Sequence, residues 1–159
     1  MKGGSVKKMS RVLKMEIRPF EGLGDVRFGM RRGDARALLG QEFRSFKKTP
    51  LADRLTDAYT QFGLHLYYDG QDRLELVEAF QPCVPIFQGV ELLGPRKVVP
   101  DRLREAGAGG PRRDSDGDFF DDLGFALYSP GDMVEGVSVY RKGYYDKLDS
   151  SSRHRRFPV

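Results

Sequence analysis

The sequence has one cysteine, Cys83, no tryptophan and no long apolar run among its 159 residues. A single cysteine excludes a disulfide within the chain. A chain of this length can bury roughly two-thirds of its unfolded surface, so folding requires neither a disulfide nor a metal. No segment approaches the about 18 apolar residues of a membrane-spanning helix. The N-terminal lysines precede no apolar segment, so we predict no secretory signal and a cytoplasmic location.

Positive charge is concentrated at the two ends of the sequence. Residues 1–14 contain five Lys or Arg and no acid, and residues 150–159 contain three Arg. Removing these eight charges from the formal net charge of +4 leaves a body of −4. A basic groove for nucleic acid is therefore not expected in the body, although the tails could contact phosphates without sequence specificity.

A nine-residue phrase occurs twice, 61 positions apart, at 62–70 and 123–131. Gly63 matches Gly124, and Tyr67 matches Tyr128. Internal repetition of this kind predicts two similar units. We predict an α+β fold of two similar helix-plus-antiparallel-meander halves that form one sheet with the helices packed on one face. The predicted segments are a flexible basic extension at 1–14, the first half at 15–85, the second half at 86–145 and a flexible basic tail at 146–159.

Local patterns place the elements within each half. Apolar alternation on both sides of the turn at 69–72 predicts an antiparallel hairpin over 64–80, which Pro82 and Pro85 end. Short helices are predicted at 31–39, where Gly40 follows, and between Pro100 and Gly107. Segments 41–56 and 107–117 show no apolar period, so we interpret them as a polar connection and a loose segment.

An acidic stretch at 114–122 contains Asp114, Asp116, Asp118, Asp121 and Asp122. Clustered carboxylates can bind a hard cation such as calcium. The EF-hand pattern fails, because the glycine and the glutamate that it requires at loop positions 6 and 12 are absent. The remaining interpretations are a solvated acidic loop and a negative patch for a basic protein partner.

Tyrosines are the residues that most suggest a binding surface. Most of the seven tyrosines lie in predicted strands, where alternate side chains point away from the helices. Tyrosine on such a face gives a rigid contact surface, although a tyrosine-rich core is the alternative. We predict that partner contacts involve Tyr67, Tyr128, Asp118, Asp121, Asp122, Tyr144 and Tyr145.

No catalytic motif is found in the sequence. HExxH, CxxC and GxSxG are absent. Cys83 could be a nucleophile only with His65 or His154 beside it, and a small, half-buried thiol is the other interpretation. We therefore predict a non-enzymatic protein with no metal or cofactor. An enzyme with an unfamiliar site, and a nucleic-acid accessory protein that uses its basic tails, remain alternatives.

Phe28-Gly29-Met30, then Ala35 and Leu38-Leu39-Gly40, then the Gly-initiated hairpin give a layout known from small bacterial proteins. This layout resembles the small lipoprotein module of the outer-membrane assembly complex, and it is similar to the β-lactamase inhibitory protein. The resemblance covers residues 24–145 by pattern. It implies a bacterial scaffold that binds another protein with one sheet face, and by class analogy an immunity-type or inhibitor protein with a basic partner.

Overall fold

The structure is a computed structural model that describes residues 13–52 and 54–145. The flexible basic tail predicted at 146–159 and residues 1–12 of the predicted basic extension lie outside this range. Leu13 and Lys14, the last two residues of that extension, belong to the first strand.

Strands dominate the described residues, and both helices are short. The strands are β1 (Leu13–Arg18), β2 (Gly22–Leu23), β3 (Val26–Arg27), β4 (Arg44–Lys47), β5 (Leu55–Tyr59), β6 (Leu64–Tyr68), β7 (Leu74–Ala79), β8 (Cys83–Phe87), β9 (Val90–Glu91), β10 (Arg112–Asp114), β11 (Gly117–Phe120), β12 (Phe125–Tyr128) and β13 (Gly136–Tyr140). The helices are α1 (Arg32–Leu39) and α2 (Val99–Glu105). The predicted α+β fold, with helices packed on one sheet, is therefore wrong, because the fold is mostly β and contains two sheets.

Two consecutive four-stranded meanders form the larger sheet. Its strand order is β10-β11-β12-β13-β7-β6-β5-β4, and every neighbouring pair is antiparallel. The predicted hairpin is present as β6 and β7. The meanders meet at the pair β13–β7, where Val137 lies opposite Ala79 and Val139 opposite Val77. One continuous sheet of eight strands results.

The inner face of this sheet is covered by the rest of the described fold. Its side chains, such as Leu64 and Leu66, are fully buried in a cluster with Ile17 of β1 and Leu103 of α2. The covering layer consists of the two helices and a five-stranded sheet of order β3-β2-β1-β8-β9. We call the opposite side of the eight-stranded sheet the outer face.

The fold class was predicted wrongly because several strands show no apolar alternation in their sequence. β1 lies parallel to β8, and Met15 is opposite Pro85, which was predicted to end a strand. Proline has no N–H to donate, but the Pro85 carbonyl accepts a hydrogen bond from Leu92 at 3.0 Å. β4 lies inside the predicted polar connection, and β10 lies inside the predicted loose segment. Pairing with neighbouring strands, rather than local pattern, makes these segments extended.

Each helix precedes one of the two meanders in the chain. In α1, Ala35 and Leu39 are buried, and in α2 Val99 and Leu103 are buried. A spacing of four residues places each pair on one helix stripe. Neither helix of the described residues is long and apolar enough to cross a membrane.

Gly63 and Gly124 share a left-handed backbone, with φ of 71° and 74°. Each directly precedes the third strand of its meander, β6 or β12. A Cβ added at Gly63 would lie 1.9 Å from the backbone oxygen of Phe80. At Gly124 the nearest atom would be the Phe20 ring at 2.8 Å. The repeated glycine therefore leaves room for neighbouring backbone at position 63 and for the Phe20 ring at position 124.

We expect Gly63→Ala to lower the free energy of unfolding by at least about 2 kcal/mol, because a left-handed alanine is strained and its Cβ meets backbone. Gly70→Ala is the matched control, since no atom lies within 4 Å of its added Cβ and its φ is not positive. Urea denaturation of both variants measures the difference. Equal stability of the two variants would show that Gly63 imposes no such constraint.

Asp57 is a fully buried carboxylate on the inner face, opposite Leu66. Arg36 donates to it from Nε at 2.8 Å and from Nη2 at 2.9 Å. Arg32 donates at 3.1 Å and the Ser45 hydroxyl at 2.8 Å. These bonds connect α1 and β4 to β5 and compensate the desolvation of the carboxylate.

Removing this carboxylate should destabilise the fold strongly. Asp57→Ala leaves Arg32 and Arg36 without their shared buried partner, so we expect a loss of roughly 3–5 kcal/mol in the free energy of unfolding. Asp101→Ala is the control, because Asp101 pairs with Arg104 on the exposed side of α2. An exposed pair contributes at most about 1 kcal/mol. Chemical denaturation gives both values, and similar losses would contradict the buried role of Asp57.

Acid should weaken the fold through Asp72. The hydrogen bond from Arg32 holds the pKa of Asp72 below its ordinary value. As the pH falls below about 4, the unfolded carboxylate binds a proton before the folded one does, so this contribution to stability disappears as the pH passes through the folded pKa. Urea denaturation between pH 7 and pH 2.5 should show a shallower loss for Asp72→Asn than for the wild type. Equal slopes for Asp72→Asn and the wild type would contradict this role of Asp72.

Candidate functional site

Two rows of side chains cross the outer face, as the strand register shows. In the first row Tyr140 lies opposite Leu76, and Leu76 lies opposite Tyr67. The second row crosses all eight strands and consists of Arg112, Phe119, Ala126, Ser138, Glu78, His65, Ala58 and Arg44. Both rows run across the junction of the meanders, so the outer face combines residues far apart in sequence.

Four tyrosines pack together over the first row. This tyrosine cluster consists of Tyr67, Tyr140, Tyr144 and Tyr145, with Leu76 beneath it. The Tyr144 and Tyr145 ring centroids lie 4.9 Å apart at 80°, and those of Tyr140 and Tyr145 lie 4.9 Å apart at 79°. Edge-to-face contacts of this kind are favourable and fix the ring orientations.

A large cleft of about 670 Å³ opens beside the tyrosine cluster. Its lining residues are Phe20, Arg112, Phe119, Asp121, Asp122, Tyr140, Lys142, Gly143, Tyr144 and Tyr145. Five of these residues are aromatic and four are charged. The volume is in the range of ligand-binding clefts, and the lining combines aromatic with charged side chains.

Arg112 is fixed at the wall of the large cleft. Its Nε and Nη2 donate to the two carboxylate oxygens of Asp121 at 2.7 and 2.9 Å. Its guanidinium carbon lies 4.4 Å from the centre of the Phe119 ring. The hydrogen bond to Asp121 raises the pKa of Arg112, so the side chain remains a cation. Asp121 is thereby neutralised within the chain.

Tyr140 presents a buried polar atom in the same cleft. The residue is 4% exposed, and its hydroxyl has no hydrogen-bond partner among the described residues. Burial, followed by the negative charge of Asp121, raises the pKa of Tyr140 above its ordinary value. The phenol therefore stays neutral and can both donate and accept a hydrogen bond.

Phe20 brings the second sheet to the large cleft. It lies in the turn between β1 and β2 with a φ of 61°, a left-handed conformation that is strained for an aromatic residue. Its ring occupies the space that a Cβ at Gly124 would need. The glycine of the second repeat therefore makes room for an aromatic wall from the other layer.

A small cleft of about 310 Å³ lies on the other side of Tyr144. Tyr67, Glu75 and Asp69 contribute to its lining. Lys48 Nζ lies 5.6 Å from the centre of the Tyr67 ring, and Arg141 bonds Asp69 at 3.1 Å and Glu75 at 3.3 Å. Lys48 and Arg141 therefore already place positive charge near this cleft.

The second row brings His65, Glu78 and Ser138 onto adjacent strands. His65 Nδ1 and the Tyr67 hydroxyl lie 3.1 and 3.2 Å from the same Glu78 oxygen. Glu78 lies between the serine and the histidine, which are therefore about 10 Å apart across two strand spacings. His65 cannot take a proton directly from Ser138 at that distance. In a Ser-His-acid triad the histidine lies between the serine and the acid, whereas here the acid lies between the serine and the histidine.

Cys83 does not have the surroundings of a nucleophile. It is 1% exposed, rather than half-buried as predicted, and burial raises the pKa of its thiol to about 12. A thiol with this pKa is protonated at neutral pH and unreactive. Cys83 packs in the core cluster with Ile17 and Phe87.

The acidic stretch is not a loop, although three of its five aspartates, Asp116, Asp121 and Asp122, are exposed. It forms the hairpin β10–β11, in which Asp114 accepts hydrogen bonds from the turn amides of Asp116 and Gly117. Asp118 is fully buried on the inner face, 2.7 Å from Arg113 Nε but without an aligned hydrogen bond. No group of three His, Cys, Asp or Glu side chains in the described residues could hold a metal ion.

The predicted contact residues are divided among several places. Asp121, Asp122, Tyr144 and Tyr145 meet in the large cleft, and Tyr67 lines the small cleft. Tyr128 lies between Gly117 and Gly136 on β12 and lines neither cleft.

Sequence reasoning missed six of the ten lining residues of the large cleft, namely Phe20, Arg112, Phe119, Tyr140, Lys142 and Gly143. For Arg112 and Phe119 a signal existed only in strand pairing, because these two residues lie opposite each other once β10 is known to be a strand. Lys142 lies two residues before the predicted Tyr144, and this closeness in sequence was the available signal.

Comparisons with protein families, with characterised proteins and with solved structures found no match for this chain. The resemblance stated from the sequence pattern therefore stays an expectation.

Proposed function

We propose that this chain is a non-catalytic bacterial protein-binding module of the immunity or inhibitor type. It binds its partner with the large cleft and the rim around it. The observation that carries the proposal is the tyrosine cluster, whose rings are fixed against one another beside a cleft of about 670 Å³. The proposal includes a cytoplasmic location, which is the expectation from the sequence.

Rigid tyrosines favour a protein partner. Tyrosine provides a large contact area and loses little side-chain entropy on binding, and it is enriched among the residues that dominate binding energy. Tyr144 and Tyr145 are half-buried, so their rings are already ordered and still partly accessible. Exposed charged residues, Asp122 and Lys142 among them, surround the rings as a polar rim surrounds the centre of an interface.

The proposed preference for a basic partner depends on fewer aspartates than the whole acidic stretch contains. Asp118 is buried and Asp121 is paired with Arg112, so neither offers a free charge to a partner. Asp122 is exposed, and no hydrogen bond or ion pair from another described residue reaches its side chain. The electrostatic part of recognition is therefore assigned to Asp122 rather than to the whole acidic stretch.

Site-specific photo-crosslinking tests the proposal. A benzophenone amino acid replaces Lys142, an exposed residue at the large cleft, and in the control chain it replaces Glu42, an exposed residue before β4. We expect a protein to crosslink at position 142 and not at position 42 in cells that express the chain. Mass spectrometry identifies that protein, which is then purified for calorimetry.

Calorimetry of the purified complex measures the role of the tyrosines. We expect Tyr144→Ala to weaken binding at least 30-fold, which corresponds to about 2 kcal/mol. Tyr144→Phe should retain most of the affinity because it keeps the ring. Leu51→Ala, at a leucine that is 91% exposed, is the control and should bind like the wild type. Unchanged binding of Tyr144→Ala would refute the assignment of this surface.

A further inference from the structure

The large cleft already contains one arginine held between an aromatic ring and an aspartate. The guanidinium carbon of Arg112 lies 4.4 Å from the centre of the Phe119 ring, and the guanidinium donates hydrogen bonds to both carboxylate oxygens of Asp121. The same combination recurs elsewhere in the chain: Arg36 lies 4.2 Å from the centre of the Phe43 ring and bonds both oxygens of Asp57. A planar guanidinium suits this arrangement, because it stacks on a ring and binds a carboxylate with two donors at once.

A second set of the same groups lines the large cleft without a guanidinium. Asp122 follows Asp121 in sequence and lies in the same cleft as the Tyr144 ring. The Tyr140 hydroxyl is buried in that cleft and has no partner among the described residues. A buried polar atom without a partner costs free energy, which a ligand that supplies the missing hydrogen bond recovers. An aspartate, an aromatic ring and an acceptor oxygen are therefore present for one more arginine.

We propose that the large cleft receives an arginine side chain from the partner protein. Its guanidinium pairs with Asp122, stacks on the Tyr144 ring and donates to the Tyr140 hydroxyl. This inference rests on the proposed function, because it names the residue by which a protein partner enters the cleft.

The charges near the tyrosine cluster favour a cation at this position. Burial, followed by the negative charges of Glu75 and Glu78, raises the pKa of Tyr144, so the field of both carboxylates reaches its hydroxyl. Arg112 is compensated by Asp121, and Arg141 lies 3.3 Å from Glu75. Lys142 is the opposing charge in the lining. The small cleft is the less suitable site, because Lys48 and Arg54 are part of its lining.

An NMR titration of the full chain tests the assignment without the partner. The probe is N-acetyl-arginine N-methylamide, and the matched probe is the citrulline analogue, which has the same shape but no charge. We expect saturable shifts of the amide signals of residues 121–122 and 140–145, with at least fivefold weaker binding of the citrulline probe. Asp122→Asn should reduce the affinity for the arginine probe at least fivefold, and Lys142→Ala should increase it. Asp101→Asn, on the exposed side of α2, is the control and should leave the affinity for the arginine probe unchanged.

Several outcomes would overturn the assignment. Equal binding of the two probes would exclude recognition of the guanidinium charge. Wild-type affinity of Asp122→Asn would exclude pairing with that carboxylate. Shifts confined to the residues of the small cleft would place the cation elsewhere.

The same probe separates this inference from the proposed function. If Tyr144→Ala weakens the purified complex but the arginine probe does not bind, the protein-binding role stands and the arginine assignment is refuted. If the probe binds as expected but no protein crosslinks at position 142, the cleft recognises arginine and the protein-binding role is refuted. In the complex, the arginine probe should compete with the partner, whereas the citrulline probe should not.

Discussion

The pairing of β13 with β7 is the contact on which the rest of the structure depends. It joins two four-stranded meanders into one sheet and removes an unpaired edge from each of them. On the inner face it buries Val77, Ala79, Val137 and Val139. On the outer face it places Tyr140 opposite Leu76, which brings the tyrosine of one meander beside Tyr67 of the other. The tyrosine cluster is a product of this seam.

The two meanders place an aspartate at the same position and compensate it differently. Asp57 of β5 and Asp118 of β11 are 61 residues apart, and both are fully buried on the inner face. Asp57 receives aligned hydrogen bonds from two arginines of α1 and from Ser45 of β4. Asp118 has Arg113 of β10, which is opposite it in register. Since Ser45 is likewise opposite Asp57, the edge strand supplies the hydroxyl in one meander and the cation in the other.

Some of this fold could be predicted from the sequence, namely the parts specified by local signals. The hairpin β6–β7 was predictable because alternation and turn residues coincide within about 15 residues. β1, β4, β8 and β10 were not, since their extended conformation is imposed by partners far along the chain, as for Met15 and Pro85. That missing information produced the wrong fold class.

The candidate site shows the same limit. Asp121, Asp122, Tyr144 and Tyr145 could be nominated by residue type, because aromatic and acidic residues near strand ends are common in binding surfaces. Their grouping in one cleft could not be predicted, nor could the fate of Asp118, whose burial depends on the face that β11 presents. Phe20 reaches the cleft from the other sheet, and no local pattern of its own segment indicates this contact.

Phe20 also gives the large cleft a wall from each layer of the fold. Its ring belongs to the turn between β1 and β2, whereas Phe119 and Tyr140 belong to the eight-stranded sheet. A guest that contacts all three rings would bridge the two layers and resist their separation. A ligand bound in the cleft would then slow the separation of the two sheets. Hydrogen exchange in β1 and β2 would slow together with that in β11 and β13.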